Sequence, residues 1–459
     1  MVVATVRSVR DPFIDLLRVA SMAVVVLMHW LTPLITTRDG DIRVEILPSG
    51  PVAWVASWFI QVMPVIFLAG GVANTAVATA YRGRYAQYLA VRGGRLVVPA
   101  AVLVAVVALV ATSAGALGYP QIGQAVSLSA VKPLWFLAVY LVVLALAPAM
   151  VAAQRRFGAA VPVAFAAAAL TVDALRFAGH EWVVVLNYAF VWLFAHQLGI
   201  GYALGVLRRA RSLTLAALGL AAVAACVFMV AAGPYPPSMI GLSDVPVSNL
   251  APPTGALVAL AVAQFAAITW LGRRFTPALA TDRWRRFLDD ANTPLMTVYL
   301  WHLPAMVLLV GAGLLLPDLT LPSAGIHWWL IRPLWLANCA LILIVLTRLW
   351  HRFETVRLPA LGTRTGPATA LAGTALAAAA ICYVWQHGVA LNGAGSAGRI
   401  TAVLALGCSL VLLAYGQPRP AESTGEPRDP DVRGRRGRTA PAPNSSHGAA
   451  SVRRRGTAS

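Results

Sequence analysis

Charged side chains are scarce in this sequence. They make up 12 % of its 459 residues, where a soluble domain carries about a quarter. Lysine is nearly absent, Lys132 being the only one among 36 basic residues. So little charge excludes an ordinary water-soluble globule and a charge-rich disordered chain. Cysteine is equally thin. Cys226, Cys339, Cys382 and Cys408 lie singly in apolar stretches. No CxxC or Cys/His spacing marks a zinc site, and a disulfide scaffold is excluded. No P-loop, GxGxxG or zinc-protease motif occurs in a fitting context, so neither a bound cofactor nor a metal is expected. What the chain has in excess is apolar surface: 59 % hydrophobic residues and a mean hydropathy of +0.73. These numbers describe a protein that lives in a bilayer.

A hydrocarbon core about 30 Å thick needs roughly 20 apolar residues per helix. Twelve segments qualify, at about 14–31, 52–78, 95–113, 134–152, 160–176, 183–206, 212–232, 254–272, 295–316, 328–347, 368–385 and 400–416. The fifth is the weakest, being short and carrying Asp173. The expected fold is an all-α polytopic bundle of about twelve transmembrane helices. The loops test that count. Arg7 and Arg10 precede segment 1. Clusters such as Arg82, Arg84, Arg92 and Arg95, then Arg155 and Arg156, then Arg208, Arg209 and Arg211 follow the even-numbered segments, while the alternate loops are nearly bare. This alternation is the positive-inside pattern, and it places both termini in the cytoplasm. It also accounts for the net charge of +19 without a nucleic-acid partner. Residues 417–459 carry nine Arg and four acids among Pro, Gly and Ser. They read as a disordered basic tail with an affinity for anionic lipid heads. The first segment is no cleavable signal peptide, since it holds Asp15, Arg18 and His29 and lacks an A-x-A site. The loop 233–253, rich in turn formers, is expected to form an ordered lid.

Ionisable groups inside a span are costly and usually face a cavity, a partner or the interface. Asp15 and Arg18 share a helix face at i, i+3. Arg18 and His29 are eleven residues apart, three turns and about 16 Å along one stripe. That stripe fits either a functional face or an interfacial anchor at each end. Arg92 and Arg95, again one turn apart at the cytoplasmic boundary, suit a phosphate or pyrophosphate, or only fix topology. Tyr299 and His302 lie well inside segment 9. Gln61, Asn74, Asp173, Asn187, His196 and Asn338 each read singly as interhelical glue. Trp135 reads as a belt aromatic, and FLAGG at 67–71 as a close-packing stripe.

Taken together, five pieces resemble the acyltransferase-3 family of integral-membrane acyltransferases, which includes bacterial O-acetyltransferases of surface polysaccharides. Asp15-Leu16-Leu17-Arg18, ten residues and His29 resemble its D-x-x-R-x10-H first helix. Phe67-Leu68-Ala69-Gly70-Gly71 resembles its aromatic-leucine-small-Gly segment, with Ala69 where Ser is usual. Arg92-x-x-Arg95 with Leu96 and Pro99, Leu134-Trp135-Phe136-Leu137, and Tyr299-x-x-His302 match its R-x-x-R-[LI]-x-x-P, L-W-F-L and Y-x-x-H pieces. The resemblance covers roughly residues 11–350. It implies a ten-helix core over 14–350 after a short cytoplasmic N-terminus at 1–13, with the last two spans in an appendage at 351–416. Its esterase-like C-terminal domain, found in some relatives, has no counterpart here. The implied activity is transfer of an acyl group, usually acetyl, from cytoplasmic acyl-CoA to a hydroxyl of a glycan, lipid-linked sugar or metabolite. The implied place is the plasma membrane of a bacterium, among its lipids. His29 is the expected general base, Asp15 the orienter of Arg18 at the donor, Arg92 and Arg95 the phosphate holders. Trp135, Tyr299 and His302 are expected to line the substrate cavity. The rival reading is a proton-coupled transporter or flippase using intramembrane His and Asp.

The topology has a direct test. In a variant whose four cysteines are replaced by serine, Ser243→Cys reacts with an impermeant maleimide added to intact cells. His447→Cys reacts only after permeabilisation.

Overall fold

The computed structural model describes residues 11–38, 41–46, 50–241, 247–315, 326–361 and 366–417. The chain divides into two units, 1–418 and 419–459. The second, which holds nearly all of the expected basic tail, lies outside the described residues, as do Arg7, Arg10, Arg364 and part of the loops at 233–253 and 317–327.

The helices in chain order are α1 (Pro12–Leu31), α2 (Pro51–Ile60), α3 (Met63–Ala80), α4 (Tyr85–Ala116), α5 (Pro120–Val131), α6 (Leu134–Phe157), α7 (Ala160–Phe177), α8 (Asn187–Ala203), α9 (Ser212–Ala232), α10 (Gly255–Leu279), α11 (Asp282–Asn292), α12 (Leu295–Leu315), α13 (Ile326–Trp350), α14 (Pro367–His387) and α15 (Ser396–Tyr415). Among the described residues, twelve spans are long and apolar enough to cross a membrane, with α2 and α3 counted together as one. The protein is therefore multi-pass, as the segment count predicts. One short hairpin was not foreseen. It pairs β1 (Pro33–Arg38) with β2 (Asp41–Ile46) antiparallel, Pro33 opposite Ile46. Its strands are rich in β-branched residues, which suit a pleated backbone.

Local chemistry sets the ends. Asp11 caps α1, its carboxylate accepting from the amides of Phe13 and Ile14, with Pro12 in the first turn. The same carboxylate accepts from Tyr202 and Thr276, which fastens the start of α1 to α8 and α10. The break between α2 and α3 falls at Gln61, whose side-chain oxygen takes the Met63 amide ahead of Pro64. Helix α5, at about 18 Å, is too short to span. It packs on α4 and carries the chain from the end of α4 to the start of α6. Leu134, the first residue of α6, is fully buried.

The body is organised around α3 and α8, which lie in close contact. A side chain on Gly71 would collide with the His196 carbonyl, and one on Gly199 with the Leu68 carbonyl. Small residues here let two backbones touch, the usual device for helix association in lipid. Helix α1 packs against α3, α10, α11, α12 and α13. Helices α14 and α15 pair with each other and lie against α4 and α6. Asp173 in the short fifth span is fully used: it accepts from the Asn187 amide at 2.8 Å, the Tyr235 hydroxyl at 2.9 Å and the Gly255 amide at 2.6 Å. Burial, and then the Asp173 carboxylate, hold the Tyr235 phenol above its ordinary pKa. The described part of the 233–253 loop is ordered: the Trp58 indole donates to the Pro237 carbonyl, and Ser57 and Gln61 bond the Met239 backbone.

Gly199→Val is expected to lower stability by about 1–3 kcal/mol or more, seen as a fall in melting temperature of the detergent-solubilised protein. Gly407→Ala, where an added Cβ meets open space, should stay within about 0.5 kcal/mol of the parent.

Candidate active site

The C-terminal turn of α1 has carbonyls with no partner in its own helix, as every helix end does. Here a cation from α13 takes one of them and the next carbonyl along the chain at Pro33. Arg332, only 2 % exposed, donates to the Trp30 carbonyl at 3.1 Å and the Pro33 carbonyl at 2.7 Å. The Trp335 indole adds a bond to the Trp30 carbonyl at 3.0 Å. A guanidinium at a helix C-terminus also meets the negative end of its dipole. From the other side, the Trp30 indole donates to the His302 carbonyl on α12 at 2.9 Å. The end of α1 is thus held between α12 and α13 on both flanks of one residue. Sequence reading passed over Arg332, although an Arg inside an apolar span is the signal that should have marked it.

This clamp puts His29 against His302. His29 Nδ1 lies 3.1 Å from His302 Nε2, with ring centroids 4.9 Å apart. His302 Nδ1 lies 2.6 Å from the Tyr299 carbonyl. The Tyr299 hydroxyl donates in turn to the Pro133 carbonyl at 2.5 Å, where α5 meets α6. The chain of bonds has one direction. A carbonyl only accepts, so Nδ1 of His302 carries its proton. In the neutral ring Nε2 is then an acceptor, and His29 must donate to it from Nδ1. The remaining nitrogen, His29 Nε2, keeps a lone pair. His302 is fully buried and His29 half-buried.

A second polar group lies deeper toward the Arg-rich end. Arg92 on α4 donates to Asn74 Oδ1 at 3.1 Å, and Asn74 Nδ2 lies 3.1 Å from His196 Nε2 and 3.4 Å from the Tyr140 hydroxyl. Asn74 and His196 are fully buried, Arg92 partly. The two groups are linked by α6: Pro133 and Tyr140 are seven residues apart, about 10 Å of helix rise. Aromatic rings in stacked and edge-on contact span the interval. Phe136 meets Tyr299 and Tyr140, both at 5.5 Å between centroids, and Phe67 stacks on Trp192 at 4.7 Å. Trp135 joins this column beside Trp192.

The structure therefore brings His29, Tyr299 and His302 together, with Trp135 in the aromatic column and Arg92 at the other end of it. Arg18 pairs with Asp15 at 3.6 Å near the start of α1 and is 40 % exposed, about 16 Å along the helix from His29. Arg95 is exposed one turn beyond Arg92 and is not drawn into the Arg92–Asn74–His196 group. Asn74 and His196 read singly as glue in the sequence; they are 122 residues apart, and no spacing rule joins them.

These features define a multi-pass membrane protein with an imidazole pair and a guanidinium on opposite ends of one aromatic column. The family model described as an acyltransferase domain matches residues 11–348, and the chain belongs to that family, the acyltransferase-3 family. It is a membrane acyltransferase. No curated protein and no solved structure matches it.

Removing the clamp should be costly. Arg332→Met, which leaves two carbonyls without their charged donor, is expected to lose about 2–3 kcal/mol of stability, and Trp30→Phe, which removes one neutral bond, about 1 kcal/mol. Thermal unfolding followed by intrinsic fluorescence checks the order of the two.

Proposed function

We propose that the protein moves an acyl group, acetyl in the first instance, from acyl-CoA on the Arg-rich cytoplasmic face to a hydroxyl on a glycan, lipid-linked sugar or small metabolite that enters from the opposite face. The membrane is the plasma membrane of a bacterium. The observation that carries this is the directed chain from the Tyr299 carbonyl through His302 to His29, which leaves His29 Nε2 as the free basic nitrogen. His29 Nε2 takes the proton of the acceptor hydroxyl as its oxygen attacks the thioester carbonyl. The C–S bond breaks, the new ester C–O bond forms, and the proton passes from His29 to the departing CoA thiolate. His302 acts through His29 as a positioning residue, fixing its tautomer as a carboxylate does in other catalytic pairs.

Arg92 and Arg95 hold the donor's phosphates, and Arg18, oriented by Asp15, steadies the donor near the inner mouth. Arg18 is too far along α1 to share the reacting carbon with His29. The donor's arm bridges the aromatic column instead, so transfer is direct and no acyl-enzyme is needed. Tyr299 and Trp135 form the cavity wall. A proton-coupled carrier finds no support in this arrangement, since the family is one of acyltransferases.

Vesicles containing the protein, given labelled acetyl-CoA on the cytoplasmic face and candidate sugars on the other, should accumulate labelled ester. A general base is worth about 10²–10⁴ in rate, so His29→Ala should abolish the signal while the protein still inserts and folds. Full turnover in that variant overturns the base. His302→Ala should lower kcat with the KM for acetyl-CoA unchanged and shift the pH profile. His302→Gln, whose side-chain oxygen can still accept from His29, should recover part of the loss; equal loss in both removes the positioning role. Mass spectrometry of surface glycans and secreted metabolites from cells with and without the chain names the acceptor.

A further inference from the structure

The turn between α3 and α4 faces the end of α6 across a pocket of about 390 Å³. Its inner walls are apolar, with Ala78 from α3, Pro148 and Val151 from α6, and the ring of Tyr88 from α4. Its rim is cationic: Arg82, Arg155 and Arg156 stand around it with no carboxylate among the lining residues. Arg155 already reaches across the gap to donate to the Thr79 hydroxyl at 3.2 Å, which leaves most of its fork available. Two of the lining phenols are engaged inward, Tyr85 on the Ala145 carbonyl and Tyr88 on the Leu144 carbonyl. Helix α4 begins on the rim at Tyr85 without a side-chain cap, so its first backbone amides and the positive end of its dipole add to the field. The volume lies within the usual range for small-ligand sites, about 300–1,000 Å³.

From these features we infer a phosphate-ester site: an anionic head bound by Arg82, Arg155 and Arg156 at the mouth, with an apolar or aromatic portion against Tyr88 and Pro148. Guanidinium forks match phosphate oxygens in pairs, and Arg is the side chain suited to that geometry. Position supports a role for the site. Tyr88 is one turn before Arg92 on the same face of α4, about 6 Å of rise, and Arg92 lies about 10 Å of rise from the level of Pro133 and the imidazole pair. The pocket thus lies about one turn beyond Arg92 on the Arg-rich side, so a nucleotide whose ribose phosphate sat here would present its diphosphate to Arg92 and Arg95 and its arm to the aromatic column. That assignment of the source rests on the acyl-CoA reading above. The same chemistry also suits the phosphate of an anionic phospholipid with its chains along the apolar wall.

The test uses the full chain in phosphatidylcholine nanodiscs, with free CoA titrated calorimetrically. In parallel, phosphatidylglycerol retained from mixed nanodiscs is counted by native mass spectrometry. Two variants are compared: Arg82→Gln with Arg156→Gln, which removes charge, and Ala152→Phe, which fills the pocket from α6 with the charges kept. A fall in CoA affinity of tenfold or more in both assigns the site to the nucleotide. Unchanged CoA affinity with loss of retained phosphatidylglycerol in both assigns it to lipid. Unchanged binding of both probes in both variants overturns the site. If the parent chain binds phosphatidylglycerol there and no CoA at all, the donor reading fails while the pocket stands.

Discussion

The C-terminal end of α1 is where this structure is most tightly specified. A helix that stops inside a membrane protein leaves carbonyls which neither water nor lipid can satisfy. Arg332 meets that need from α13, and Trp30 reaches the other way to α12. With Trp30 held on both sides, the neighbouring residue has no freedom of depth or rotation, and that residue is His29. The imidazole pair is thus a consequence of how one helix end is closed. Its hydrogen-bond direction follows from a single carbonyl, that of Tyr299.

The same economy of parts governs the interior. In lipid there is little hydrophobic gain from bringing helices together, so close backbone packing and polar contacts carry the association. Gly71 and Gly199 let α3 and α8 touch. That contact sets the height of Asn74 relative to His196, and the Asn74 amide then receives Arg92. A guanidinium that sequence alone would leave at the boundary is drawn partly into the bundle. Arg95, one turn on, stays exposed. Two arginines that look equivalent in the motif therefore have different surroundings: one is tied to a buried network, the other is free to meet what approaches.

The aromatic column between the two polar groups gives the site its length. Phe67, Phe136, Tyr140, Trp192 and Tyr299 come from four helices, and their stacking separates a cationic end from a basic nitrogen by about 10 Å along α6. A separation of that size suits a donor whose charged head and reactive end are far apart.

Much of the architecture was legible in the chain. A span must be about 20 apolar residues long, and positive loops must stay on one side; those constraints are one-dimensional, and the twelve spans follow from them. Asp11, Pro12 and the Pro64 break are local signals of the same kind. The hairpin after α1 has a local signature too, Asp39-Gly40 between two β-branched runs. The pairing of His29 with His302 across 273 residues, the union of Asn74 with His196, and the role of Arg332 belong to tertiary structure alone. Helical periodicity fixes which residues share a face of one helix. Only the packing of α1, α3, α8, α12 and α13 decides which faces meet and at what depth, because that is set by helix crossings and by which buried polar atoms find partners.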